Sequence, residues 1–417
     1  MVKNAFIYLF SGILNKAIPF LLLPVLTRYL SVEDYGSLSI FQVLLSFVVP
    51  VVGMNMQNNI TRKYAEKSRD EMALLIGNLI LVLLFTVLLV EALLGIYLVF
   101  QETFFGISSF WILLLPLIAG SNIINQFNMT ILRNQERAVA FGAFQIINTI
   151  INLAVSLLLI VGLGFGWEGR GFGILVTAFC LGSVSLLYMR RQGLVFFSVN
   201  RGLLNEILKI SIPLIPHGVG GVVIGLSDRL FIDQMVSKEA VGLYAVGYAF
   251  GMVVNLCVDS FSQAWAPWFH KKMNNTDNNT KKRIVSFTYL YFVSILLIAL
   301  IITFVSKSVF PLLIDSKFNN ATDFIVWIAV GYAFRGMYTM MFPYLIFKAN
   351  THFIGFVTGF TAFVNILLNY LLISINGEVG AAQATLIAWF SMFILTWIYA
   401  AKICPMPWFY FLGIKHE

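Results

Sequence analysis

Three cations and two carboxylates stand where hydropathy leaves little room for charge: Lys16, Arg229 and Arg335, with Asp228 and Asp259. Each lies in an apolar stretch long enough to cross a bilayer, where a charge at mid-depth costs about 2.5–3.5 kcal/mol on insertion scales. Such groups either pair with one another or face a water-filled cavity. A guanidinium grips a phosphate through two parallel hydrogen bonds, and an ammonium holds it as a point charge. Lys16, Arg335 and Arg229 are therefore candidates for a cationic cavity that receives an anionic group. In the structural alternative, Arg229 pairs with Asp228 or Asp233, and Asp259 pairs with Arg335 or Lys16. Asp259 and Asp228 are the candidates to take up a coupling ion. Glu91 and His217 have plainer readings, the first as a local helix partner and the second as a donor to a carbonyl freed by Pro216.

Faces of carboxamide and hydroxyl groups accompany these charges. Ser39, Gln42, Ser46, Pro50, Gly53 and Gln57 step by three or four along the second apolar stretch, so they share one side of a helix. Gln145, Asn148, Asn152 and Ser156 repeat the pattern in the fifth stretch, and Asn365 and Asn369 in the eleventh; Gln126 stands in the fourth. Carboxamides facing lipid would leave donors unpaired. They either bridge neighbouring helices, worth about 0.6 kcal/mol each on average, or line a polar cavity. Gln42, Gln57, Asn148, Asn152, Gln263, Asn365 and Asn369 are the expected lining.

The elements that must position these groups follow from composition. The 417 residues are 59% hydrophobic and 11% charged, with a mean hydropathy of +0.87; soluble domains carry roughly 25% charged residues. The chain is read as an all-α integral membrane protein of about 12 transmembrane helices, each needing about 20 apolar residues. The expected spans are 5–30, 36–58, 74–100, 110–132, 139–163 and 171–189, then 207–234, 241–269, 284–305, 324–347, 353–375 and 379–401. The first reads as a full span rather than a cleavable signal.

The chain is also duplicated. Ser31, Glu33, Gly36 and Gln57 recur at one constant offset as Ser237, Glu239, Gly242 and Gln263, and the same offset carries Gly53 onto Asp259. Residues 1–190 form an expected N-terminal six-helix lobe, 191–205 a cytoplasmic linker, and 206–417 a C-terminal six-helix lobe. Six spans per half make the repeats parallel, a geometry in which sites lie between the halves near the midplane. Of the 27 Lys and Arg residues, five fall in turns on one side (Arg28, Arg170, Lys238, Lys307, Lys317), three inside spans, and 19 on the other side. That bias places both termini in the cytoplasm, accounts for the net charge of +8, and removes any need for a nucleic-acid partner. Cys180, Cys257 and Cys404 have no metal or redox spacing. No nucleophile motif, phosphate-binding loop or metal cluster stands in the sequence, so no enzyme activity, cofactor or metal is expected.

The early Leu-Ser-x-Glu-x-x-Gly turn at 30–36 and its Val-Ser-x-Glu-x-x-Gly-Leu-Tyr echo at 236–244, after Asp228-Arg229, resemble polysaccharide flippases, the O-antigen (Wzx) type. These belong to the multidrug/oligosaccharidyl-lipid/polysaccharide exporter superfamily. The resemblance covers nearly the whole chain. It implies a V-shaped, alternating-access transporter of a bacterial inner membrane that moves undecaprenyl-diphosphate-linked oligosaccharide, an O-antigen repeat unit for lipopolysaccharide biosynthesis, to the periplasmic leaflet by an ion-coupled antiporter mechanism. It further implies membrane lipids, a polysaccharide polymerase and a chain-length regulator as partners. Alternatives are a flippase of lipid II or another lipid-linked glycan, a drug–cation antiporter, and a membrane polysaccharide polymerase. The lipid II type commonly carries helices beyond the twelfth, the antiporter prefers an acidic, aromatic cavity, and the polymerase usually needs a large outer loop.

Overall fold

A backbone in hydrocarbon must satisfy its N–H and C=O groups within its own segment, so the apolar stretches are helices. The computed structural model describes residue 20 and residues 22–273, 277–347 and 351–408. Lys16 lies outside the described residues. Of the first expected span, residues 22–29 are described as helical. There follow α1 (Val32–Gly53), α2 (Gln57–Lys63), α3 (Arg69–Phe100), α4 (Ser109–Asn134), α5 (Ala138–Leu157), α6 (Gly166–Arg191) and α7 (Arg201–Ser211). The remainder are α8 (Ile215–Met235), α9 (Lys238–Gly251), α10 (Val253–Met273), α11 (Asn278–Leu313), α12 (Thr322–Phe347), α13 (Thr351–Asn376) and α14 (Glu378–Ile403). Among the described residues, ten helices are long and apolar enough to cross a membrane, or eleven if α9 and α10, bent by 40°, form one span. Apart from one short antiparallel pairing of Thr103–Phe104 with Ile107–Ser108, the described chain is helical, as expected of an all-α, multi-pass membrane protein. It divides into two compact units, Met1–Val222 and Val223–Glu417.

The repeated Ser-x-Glu turn proves to be a helix start. Ser31 Oγ accepts from the Asp34 N–H at 3.0 Å while the Asp34 carboxylate accepts from the Ser31 N–H at 3.3 Å, a reciprocal capping box. In the second unit Ser237 Oγ accepts from the Ala240 N–H at 3.1 Å. The second expected span, 36–58, is not continuous: it breaks after Gly53. Met54 and Asn55 adopt left-handed backbone (φ 45° and 50°), and the Met54 N–H closes the helix on Pro50 O. Asn tolerates this conformation better than most residues.

That break meets the proline break near the start of the seventh span. Ile212–Leu214 form a 3-10 turn between α7 and α8. Asn59, fully buried, donates to Ser211 Oγ at 3.0 Å, and the Asn55 amide reaches Leu214 O at 3.5 Å.

The expected linker begins at the end of α6, turns at 192–193, runs without regular structure to Asn200 and is helical from Arg201. Its irregular part is pinned along α3: Phe196 N–H donates to Ala73 O at 3.0 Å, Asn78 donates to Ser198 O at 2.9 Å, and Asn78 accepts from the Asn200 N–H at 3.0 Å. Gly77 makes this approach possible, because a Cβ there would stand 2.0 Å from Phe196 O. Backbone cannot yield as a side chain can. Gly77→Ala is expected to destabilise the first unit by about 1–3 kcal/mol, the usual cost of overpacking, and to expose residues 193–200 to protease. Limited proteolysis beside a thermal melt checks both; an unchanged digestion pattern would remove the pinning argument.

Candidate functional site

In the first unit, the expected polar face of the second span lines a cavity of about 310 Å³. Ser46, Pro50, Gly53 and Gln57 fall on it at their three-and-four spacing, joined by Asn55 at the break and by Gln126 of α4. Gly218 of α8 closes one side: a Cβ there would lie 2.8 Å from Pro50 Cβ. Gln57 donates to Asn55 Oδ1 at 3.4 Å, orienting both carboxamides. Each offers donors and acceptors with no formal charge, and no carboxylate stands among the described lining residues. Such a lining suits hydroxyl-rich groups.

The remaining lining candidates are distributed differently. Gln42 is exposed on α1, Gln263 is exposed on α10, and Asn148 is half-buried on α5. Asn152 is engaged by Arg170, whose Nη1 also donates to Ser156 Oγ at 2.8 Å. Arg170 was expected in an outer turn. It is instead buried within α6, which begins at Gly166, several residues before the expected span start. The stripe on α5 thus holds a buried arginine. Asn365 and Asn369 are buried and bonded to each other at 3.1 Å, and Ser227 donates to Asn365 at 3.3 Å. His217 is exposed on α8 and Glu91 half-buried on α3.

The second unit contains two charged clusters of contrasting character. Arg229 and Asp228 form an ion pair at 3.2 Å with side chains only 8% and 2% exposed. Tyr244 donates to the other Asp228 oxygen at 2.5 Å. The Arg229 guanidinium sits 4.3 Å from the Tyr248 ring centroid and 5.7 Å from that of Tyr244, and the Tyr248 and Tyr332 hydroxyls bond at 2.7 Å. Each charge is met by an opposite charge, a hydroxyl or a ring face. This cluster is a closed tie between α8, α9 and α12.

Arg335 and Asp259 also pair at 3.2 Å, but their side chains are 29% and 27% exposed. Arg335 Nη1 donates to Asn255 Oδ1 as well, and the Asn255 amide reaches the other Asp259 oxygen at 3.4 Å. Trp389 of α14 faces the guanidinium at 5.7 Å. This triad links α10 to α12 and is open enough for another anion to reach Arg335. Asn255 carries no charge to mark it in the sequence, although it precedes Asp259 by one helical turn, a spacing that puts both on one face. The tyrosines around Arg229 were likewise unassigned, since their hydroxyls gain meaning only from the fold.

Comparison with known proteins agrees with this architecture. A solved lipid II flippase, MurJ in its inward closed conformation, superposes with a TM-score of 0.74 over 96% of this chain and 88% of that one, at 15% identity. An inward-facing multidrug resistance transporter of the MATE family in the MOP superfamily superposes with a TM-score of 0.69 over 93% and 94%, at 13% identity. In sequence, Lsg locus protein 1 of Haemophilus influenzae is 24% identical over 366 residues, covering 85% of this chain and 86% of that protein. The family described as Polysaccharide biosynthesis protein matches residues 1–273. With the membrane architecture shared with flippases and exporters of the MOP superfamily and that match over most of its length, the chain belongs to the polysaccharide biosynthesis protein family.

Proposed function

We propose that this protein flips an undecaprenyl-diphosphate-linked oligosaccharide, an O-antigen repeat unit, from the cytoplasmic to the periplasmic leaflet of a bacterial inner membrane. The observation that carries this reading is the neutral lining of the first unit's cavity, where Ser46, Asn55, Gln57 and Gln126 present hydroxyl and carboxamide groups. A cavity built for drug cations would call for carboxylates. The sugars would hydrogen-bond with these groups, and Arg335 and Lys16 are the candidate phosphate ligands.

Arg335 is a better phosphate ligand than Arg229 because its pair with Asp259 is partly open to solvent, whereas Arg229 is sealed against Asp228 and two tyrosine rings. Asp259 then supplies the coupling. An ion taken up on its carboxylate would weaken the bond to Arg335 and free the guanidinium for diphosphate. Loss of that ion would restore the pair and eject the headgroup. The ion gradient drives the cycle, and the membrane potential offers about 2.3 kcal/mol per charge per 100 mV. Both termini would lie in the cytoplasm, with a polymerase and a chain-length regulator acting on the delivered units.

The test uses cells lacking the gene. Lipid-linked oligosaccharide is expected to build up on the cytoplasmic face while surface glycan is lost, and the wild-type gene to reverse both. Gln57→Leu/Gln126→Leu should reduce flipping about 10–30-fold at equal protein level, as for two lost hydrogen bonds at about 1 kcal/mol each. Accumulation of lipid II instead would assign a different glycan lipid. Heightened sensitivity to cationic drugs with normal surface glycan would assign the antiporter, and delivery of single repeat units without long chains the polymerase.

A further inference from the structure

A second, larger cavity of about 510 Å³ lies in the second unit where α10 ends and α11 begins. Its polar end holds Lys272, Arg283, Thr280 and Ser286, and its apolar wall holds Trp268 and Phe287. Trp268 and Lys272 are one turn apart on α10. Thr280, Arg283, Phe287 and Leu290 recur every three or four residues on α11, so one face of that helix forms the floor. The wall is braced from beneath: Trp265 stacks on Trp268 at 5.2 Å and on Phe287 at 5.7 Å, and Trp265 is itself buried, donating to Met340 O at 3.0 Å. Trp268 and Phe287 remain 40% and 42% exposed.

The same face of α11 continues as an exposed apolar strip through Val293, Leu297, Leu300, Ile301 and Phe304. From Leu290 to Phe304 it covers about 21 Å at 1.5 Å per residue, comparable to an extended acyl chain. Cations and hydroxyls thus sit at one end of a lipid-length strip, with aromatic rings at the junction where such rings favour the membrane–water boundary. No Asn or Gln stands among the described lining residues, unlike the cavity of the first unit.

We propose that this cavity binds the phosphate headgroup of a resident anionic phospholipid, with one acyl chain lying along α11. Lys272 and Arg283 contact the phosphate, Ser286 donates to one of its oxygens, and Trp268 and Phe287 cover the glycerol and upper chain.

The full-length protein, in nanodiscs of phosphatidylcholine, is titrated with phosphatidylglycerol brominated near the top of its acyl chains. The signal is the fluorescence quenching that disappears in Trp268→Phe. Preference for phosphatidylglycerol over equally brominated phosphatidylcholine should be about 30-fold, falling about 5-fold for each of Lys272→Gln and Arg283→Gln, as expected for basic residues at a lipid surface. Arg283→Lys should retain most of it. Equal quenching by the two lipids, or a preference that survives in Lys272→Gln/Arg283→Gln, would overturn the proposal. Displacement of phosphatidylglycerol by undecaprenyl diphosphate at a lower molar fraction would also overturn it, making this a cargo site. Displacement by millimolar inorganic phosphate would reduce it to a free-anion site.

Discussion

Asp228→Ala is expected to destabilise the protein by about 3–5 kcal/mol, the cost of stranding one member of a buried ion pair. Arg229 would keep its position against the Tyr248 and Tyr244 rings but lose the carboxylate it pairs with, and the Tyr244 hydroxyl would lose its acceptor. Cation–π contacts recover about 2 kcal/mol when desolvated, so they do not compensate. Removing both charges differs from removing one. Asp228→Leu/Arg229→Met should recover most of the loss, because apolar replacement of a whole buried pair is often neutral or stabilising. Thermal unfolding of the detergent-solubilised variants gives the comparison. A single variant that melts with the wild type would mean that water already reaches this pair and that it is no closed tie.

Arg335→Ala is the variant expected to cost most in transport without a matching loss of fold. Arg335 is partly exposed, and Asp259 left behind can be solvated. A charge-assisted hydrogen bond contributes about 1.5–3 kcal/mol, so loss of the guanidinium should weaken diphosphate binding about 10–100-fold. Arg335→Lys should recover only part, because an ammonium cannot make the bidentate contact. Asp259→Asn separates binding from coupling. It leaves Arg335 permanently available, so lipid diphosphate should bind as tightly as to wild type or tighter, while net flipping and its ion dependence disappear. The readouts are isoprenyl-diphosphate affinity of the purified protein and surface glycan in complemented cells. Normal transport with unchanged ion dependence in Asp259→Asn would remove this residue from the coupling step. Normal affinity in Arg335→Ala would move the headgroup elsewhere.

Both variants act on one kind of interaction, an ion pair within the second unit, yet the expected readouts diverge. The difference is solvent access. Asp228 and Arg229 are adjacent in sequence and sealed by aromatic residues, so their attraction is spent on holding helices together. Arg335 and Asp259 come from helices distant in sequence and meet beside half-open space, so their attraction can be exchanged for that of a ligand.

The apolar surroundings, the helical class and the periodic faces are legible along the chain. Apolar runs of span length, few charges and the backbone's need to bond internally leave helices as the solution. The polar side of the second span was legible because a 3.6-residue repeat places Ser46, Pro50, Gly53 and Gln57 together whatever packs against them. The repeated serine turns were legible for the same local reason, as helix caps spanning only a few residues.

What those residues meet is set by the packing between helices. Beside the break at Met54–Asn55, Asn55 and Asn59 bond to residues 211–214, more than 150 positions away. Arg170 looked like a turn residue because hydropathy counts its charge, and it is buried because Asn152 and Ser156 of another helix satisfy it. Arg335 was visible as a charge inside a span, but its exchange partners, Asn255 and Asp259, come from α10. Periodicity is a property of a single helix and can be read along the chain. Pairing, burial and access belong to the space between helices, and that space exists only once the helices have packed.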